Sequence, residues 1–276
     1  MTALHHAALA LAILALAGCG GGEAAPAPAP APAAAAQPAP VAAEAAPRAA
    51  SGAALQYPAV LAKFTDAMCE DARHLAFNTM GVSLSASQAK GTWSTLSRSL
   101  EQAQPQIEAL LRVAETKDCT FAPVTIEQGS RKLPPELVEL FRGVRNGGAM
   151  LAADAARTYV AGDSAGAARR VAAIASMLRH IADSGLPKAP DFASDLLSRL
   201  EIVVPPMAAG VKGNTLTAAD RETILAALNA LNASDPCGVA DGAANDAFAT
   251  KQAAALAALN AALEKAPEGI PGGAGR

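Results

Sequence analysis

Few residues in this chain have the type and spacing to do chemistry. Cysteines stand at Cys19, Cys69, Cys119 and Cys237, and only His74 and His180 lie beyond the paired His5 and His6. Glu70 and His74 are four apart, so on a helix they share a face and could offer two ligands to a metal. The same spacing makes an ordinary surface ion pair. With no further His or Cys cluster to complete a coordination shell, we read it as that pair. Ser87-Gln88-Ala89-Lys90 puts an amine three residues after a hydroxyl, the spacing of a lysine-assisted serine nucleophile. That chemistry also needs a Ser-Asp-Asn-like triplet and a Lys-Thr-Gly-like strand. Neither occurs, so Ser87 reads as a helix cap. No haem attachment site, zinc-protease helix, phosphate loop or dinucleotide fingerprint appears. The sequence thus offers no catalytic, cofactor-binding or metal-ligating residue, and we expect a protein that is not an enzyme.

Cys19 has a different context. Leu9, Leu11, Ile13, Leu14 and Leu16 make an apolar run from Ala7 to Ala17, too short for a membrane span of ~20 residues. Small residues follow, as before a secretory cleavage site. Leu16-Ala17-Gly18-Cys19 resembles the lipobox of bacterial lipoprotein precursors, a likeness confined to residues 1 to about 22. The start departs from that pattern, carrying His5 and His6 but no Lys or Arg. The resemblance implies that 1–18 is a signal peptide and that Cys19 is the lipid attachment site, acylated on its sulfur and new amino group. A lipid bilayer would then be the first partner. Gly20, rather than Asp, after the cysteine implies the outer membrane of a two-membrane cell, facing the periplasm.

From 19 to 55 the chain is rich in Ala and Pro, with Glu23, Glu44 and Arg48 as its charges. Alternate prolines remove backbone donors and disfavour helix before each one, and few large apolar groups offset the entropy of ordering. We expect a disordered tether that, at ~3.1 Å per residue, reaches up to ~100 Å. The net charge of −3 and pI near 5.8 argue against nucleic acid, whose binders present a basic face. Half the residues are apolar, but many are Ala and only 3% are aromatic. Ala favours helix and buries little area, which predicts closely packed helices with a thin core.

Periodicity predicts about seven helices over 56–266. Leu61, Phe64, Met68, Ala72 and Leu75 stripe a first helix from about 57 to 79. Trp93, Leu96, Leu100, Ala103, Ile107, Leu110 and Ala114 stripe a second that stays in phase across Pro105, hence a kinked helix. Residues 118–133 read as a long loop, with 124–126 as a short extended piece. Pro134-Pro135-Glu136 opens a third helix, interrupted in composition by Gly147-Gly148: a neighbour approaches closely there, or the helix bends. Asp163 caps a fourth, with Val171, Ile174, Leu178 and Ile181 as its seam and Arg169, Arg170 and Arg179 around the other face. His180 flanks that seam as a packing residue. A fifth helix spans 191–204 and breaks at Pro205-Pro206. Thr217 and Asp220 form a near capping box for a sixth, and Leu256, Leu259 and Leu263 line a seventh. The tail 267–276 reads as disordered. With no stretch of period two, the class is all-α, an antiparallel bundle or stacked helical hairpins. Tyr159, Gly162-Asp163, Ala167 and Val171 are similar to part of a tetratricopeptide repeat, with the Tyr one position out of step. No second copy follows at that period, so a plain helical hairpin is the reading.

Three cysteines besides Cys19 in an oxidising compartment suggest one disulfide and one thiol. Cys119 and Cys237 both fall in loops at helix ends and are the preferred pair; Cys69 with Cys119 remains open if Pro105 folds the second helix back. For function, the expectation is a membrane-anchored envelope lipoprotein whose helical domain binds an envelope protein or serves envelope structure. The alternative is a small-molecule binder with an apolar pocket lined by residues such as Trp93, Phe141 and Met177.

Overall fold

The structure, a computed structural model, describes residues 49–72, 86–126, 132–210, 213–232 and 242–266, with the side chains of 86–93 and 242–245 excepted. The chain divides into two units, Met1–Ala45 and Ala46–Arg276, and all described residues belong to the second. Its class is all-α. In chain order come strand β1 (Ser51–Gly52), helix α1 (Ala53–Leu61), a helical stretch α2 (66–72 as far as described), α3 (Ala86–Gln102), α4 (Gln104–Ala114), strand β2 (Cys119–Thr120), α5 (Pro135–Val160), α6 (Ser164–Ala182), α7 (Ala189–Ala209), α8 (Ala218–Asn232) and α9 (Gly242–Glu264). The folded unit therefore begins before the expected boundary at residue 56, because Ser51 and Gly52 pair antiparallel with Thr120 and Cys119. The expected extended piece at 124–126 is irregular, and the strand lies at 119–120, where a partner exists.

Helix α5 is the axis of the unit. Every residue from Asn146 to Ala156 is buried, and α1, α3, α4, α6 and α7 all pack on it. A helix surrounded on all sides cannot keep a polar face, and small residues let its neighbours come near. A Cβ on Gly143 would lie 2.6 Å from the Leu61 Cβ, and one on Gly147 would lie 2.8 Å from Leu110. Gly148 would collide with Leu196 in the same way. Of the two readings of the glycine pair, close approach is the one seen, with α5 unbroken from Pro135 to Val160.

Two predicted helices are interrupted where tertiary contacts override the local pattern. The first stripe is buried at Leu61, Phe64 and Ala72, yet the helix breaks at 62–65. Buried Asn146 of α5 donates from Nδ2 to the Phe64 carbonyl and to Asp66 Oδ1, both at 2.9 Å, and the Thr65 hydroxyl accepts from the Met68 amide at 3.4 Å. The Phe64 carbonyl and the Met68 amide, left without helical partners at the break, are thus satisfied by side chains. The second helix divides at Ala103, with Pro105 in the first turn of α4 where its missing N–H costs nothing. Leu96, Leu100, Ala103, Ile107, Leu110 and Ala114 are all buried, as the phase predicted.

Conversely, α7 runs through Pro205-Pro206 to Ala209, correcting the expected break. The prolines withhold two helical donors, but Met207 and Ala208 are buried beyond them. The Tyr159 hydroxyl also sits 2.9 Å from the Met207 carbonyl and 2.6 Å from that of Asn214. Asn214 in turn donates to the carbonyls of Tyr159 and Val160 at the end of α5. Caps appear where the sequence put them: Asp163 Oδ1 accepts from the Gly166 amide at 2.8 Å, and the Thr217 and Asp220 side chains accept reciprocally from each other's amides at 3.2 and 3.0 Å. Thr217→Ala removes one arm of that box and is expected to cost about 1 kcal/mol, read as a lower urea midpoint at unchanged m-value.

Candidate functional site

Chemistry-bearing side chains meet where α1, the last turn of α6 and the segment after α4 converge. Tyr57 of α1 is buried because its helix lies against α4 and α5, and its hydroxyl is 2.8 Å from Nδ1 of His180. The two rings meet edge to face at 5.9 Å, while Phe121 lies parallel to Tyr57 at 6.3 Å. Arg179 places a guanidinium nitrogen 3.4 Å from the other imidazole nitrogen, Nε2. Cys119 is half-buried in β2, directly opposite Gly52. Asp118 fastens the start of the folded chain: its Oδ2 accepts from the Ser51 hydroxyl and its carbonyl from the Ala53 amide, each at 2.9 Å.

Burial sets the ionisation of these groups. It holds His180 down at about 4, helped by the Arg179 charge and opposed by a hydrogen bond to the Thr116 backbone and by Asp118. Burial pushes the Cys119 thiol up to about 12, with the Asp118 charge adding to the effect. Tyr57 is raised well above its ordinary value by burial and then by Cys119. A general base works best with a pKa near the working pH, and a reactive cysteine needs a lowered one. Here the imidazole is neutral, the thiol protonated and the phenol un-ionised at pH 7. The arrangement docks α1 onto the body and is poorly set for proton transfer or nucleophilic attack.

A second cluster ties α4, α5 and α6 together. Asp154 of α5 is fully buried and accepts from Arg157 at 2.9 Å and from Gln104 at 3.0 Å through Oδ1, while Oδ2 meets the Arg170 guanidinium. Arg170 was expected on the outer face of its helix, but it is buried, because Asp154 offers it a countercharge inside. Its NH1 also donates to the Gly166 carbonyl at 3.0 Å. Arg169, by contrast, is exposed enough to bridge Glu115 and Glu108 at the surface.

A cleft of about 190 Å³ lies beside the break at 62–65, lined by Phe64, Thr65, Asp66, Glu139 and Arg142 among others. Pockets for small molecules usually hold ~300–1,000 Å³. Of the positions expected to line an apolar pocket, two pack against protein: Phe141 stacks on Phe192 at 4.0 Å, and the Met177 methyl lies 3.8 Å from where a Gly147 side chain would start. Among the described residues, no three His, Cys, Asp or Glu side chains gather into a metal site, and no helix is long and apolar enough to cross a membrane. The chain matches no protein-family model, no curated protein and no solved structure.

Of the residues singled out by sequence, Cys19, His74 and Cys237 lie outside the described residues, as do the side chains of Ser87, Lys90 and Trp93. The preferred Cys119–Cys237 bridge is accordingly not something the structure describes; Cys119 is a thiol, and Cys69 is buried in α2. Glu70 is exposed. His180 is a packing residue as expected, more deeply buried than its flanking position suggested. Tyr57, Asp118, Asp154 and Gln104 gave no sequence signal, since each acquires its role from a partner more than fifteen residues away. The Tyr159–Val171 hairpin exists, with a positive φ at Gly162 and Ala167 and Val171 buried.

Proposed function

We propose that this chain is a bacterial envelope lipoprotein, acylated at Cys19 and carried on the outer membrane. Its helical unit engages a partner protein or serves envelope structure rather than catalysing a reaction. The observation that carries the reading is Leu16-Ala17-Gly18-Cys19 behind an apolar run and ahead of the Ala- and Pro-rich stretch. Several acyl chains, at ~0.8 kcal/mol per buried methylene, hold a protein on a bilayer firmly. The folded unit supports a non-catalytic role through a thiol and an imidazole both shifted away from reactivity at pH 7. Packing of Phe141 and Met177 favours a protein-facing role over the small-molecule alternative.

Expression with an alkyne-tagged fatty acid tests the anchor. The wild-type chain should take up the label and sediment with outer membranes, whereas Cys19→Ala should be unlabelled and leave the membrane fraction. An unlabelled wild-type protein would sink the anchor. In-cell cross-linking then tests the second half: a specific envelope partner recovered in stoichiometric yield supports it. No partner, together with an intact envelope in a deletion strain, refutes it.

A further inference from the structure

We propose that the segment Ser51–Leu61 is an acid-releasable strap, held closed on the helical body by neutral His180 and freed when that imidazole takes a proton. The inference concerns the folded unit alone and does not depend on acylation of Cys19.

The strap is thin and its ties are few. It consists of a two-residue strand and a nine-residue helix with Pro58 inside it. Among the described residues, its side-chain hydrogen bonds to the body run to two groups, Ser51 to Asp118 and Tyr57 to His180. Beside these stand the backbone ladder with 118–120, the Tyr57–Phe121 stack, and the burial of Ala53, Ala54, Tyr57 and Leu61 against α4 and α5. His180 belongs to α6, which packs on α4, α5, α7 and α8 and cannot yield without disturbing the core. When the imidazole must be rehydrated, the strap is the side of the contact that gives.

A proton on His180 is unwelcome in the closed form for geometric reasons. The ring is 3% exposed, so the new charge has almost no water to solvate it. On its own helix, Arg179 already stands 3.4 Å from Nε2. From α1 it meets the neutral Tyr57 hydroxyl; Cys119 of β2 acts on that hydroxyl, and Asp183 at the end of α6 acts on Cys119. Asp118 and the Thr116 backbone favour the proton but do not outweigh burial and Arg179. With the strap lifted, the ring meets water and returns toward its ordinary value.

The sign follows from linkage. A histidine held at about 4 when closed and near 6.5 when open binds more protons in the open form. The strap is therefore most firmly held above pH 6.5 and loosens as pH falls toward 4. Relative to pH 7, the open-to-closed ratio should rise about 20-fold at pH 5, with a ceiling of about 240-fold at lower pH.

Amide hydrogen exchange on the full chain, corrected for intrinsic rates, reads this directly. Between pH 7 and pH 5, exchange in 51–61 should accelerate by about 20-fold and at both pH values outrun the centre of α5, which exchanges only on global unfolding. His180→Gln keeps an acceptor for Tyr57 but cannot gain the proton, so its strap should exchange alike at both pH values. Tyr57→Phe should loosen the strap at pH 7 and retain the pH response. A strap that exchanges no faster than the centre of α5, an unresponsive wild-type strap, or a His180→Gln strap that still loosens would each overturn the proposal. Should His180→Gln not fold, nuclear magnetic resonance on the unsubstituted chain decides. Amide shifts of 51–61 must then follow the His180 ring with one midpoint, and an imidazole that titrates without them refutes the strap.

Discussion

Asp154→Ala should lower the unfolding free energy by about 3–5 kcal/mol, the penalty for leaving a buried charge without its countercharge. Asp154 is fully buried and holds Arg170, Arg157 and Gln104 at once. Without it, the buried Arg170 guanidinium keeps the Gly166 carbonyl, the Gln104 oxygen at 3.5 Å and a Glu108 oxygen 3.8 Å away. Of these only Glu108 carries a countercharge, from a half-exposed side chain and at longer range than Asp154. Urea unfolding should show a reduced midpoint with an unchanged slope. The comparison that isolates the mechanism is Asp154→Leu combined with Arg170→Met, because removing a buried pair together is far cheaper than removing one partner. That double variant should recover most of the loss. If Asp154→Ala costs less than about 1 kcal/mol, water reaches Arg170 and the network is a surface feature.

Gly52→Ala should detach the start of the fold rather than unfold it. Gly52 has φ 60°, a region that side chains rarely enter, and a Cβ there would fall on the Asp118 carbonyl oxygen. Backbone strain of roughly 1–3 kcal/mol and a similar cost of overpacking act on a ladder only two residues long. The body, organised around α5, does not depend on that ladder. Cys119 reports the difference, since it pairs with Gly52 and burial keeps its thiol protonated. Peptide-resolved alkylation of Cys119 should speed up more than ten-fold in Gly52→Ala, while Cys69 in the core stays protected. Equal labelling of both cysteines would mean global unfolding, and no change at Cys119 would mean that the ladder tolerates a side chain.

Helix assignment was largely legible because its signals are local. The stripe of Leu96, Leu100, Ala103, Ile107 and Leu110 marks a buried face through the 3.6-residue period alone. Asp163, and Thr217 with Asp220, mark starts because a cap satisfies amides two or three residues on. Where the sequence reading erred, a distant partner had changed the local balance. Asn146 rewards a break at 62–65 that periodicity would have bridged. Burial of Met207 and Ala208 carries α7 past two prolines that would end an isolated helix. Arg170 joined the polar face by type, but Asp154 drew it inside.

The candidate site was legible only as parts. His180 stood out as a packing residue, yet Tyr57, its partner 123 positions away, did not. Nothing in a one-dimensional pattern states which side chains will share a buried volume, because that depends on how helices cross.

The sequence by itself determined the all-α class and the placement of most helices. Leu16–Cys19 and the Ala- and Pro-rich stretch are also the whole basis for the proposal of a lipid anchor. Those properties reside in contiguous residues, where propensity, spacing and cleavage signals act over a few positions. The tertiary structure alone decided that the stretch of α5 from Asn146 to Ala156 would be enclosed on every side, that Asp154 and Arg170 would meet, and that Tyr57 would pack on His180. Such choices are made by burial, which removes water from groups far apart in the chain and obliges them to satisfy one another.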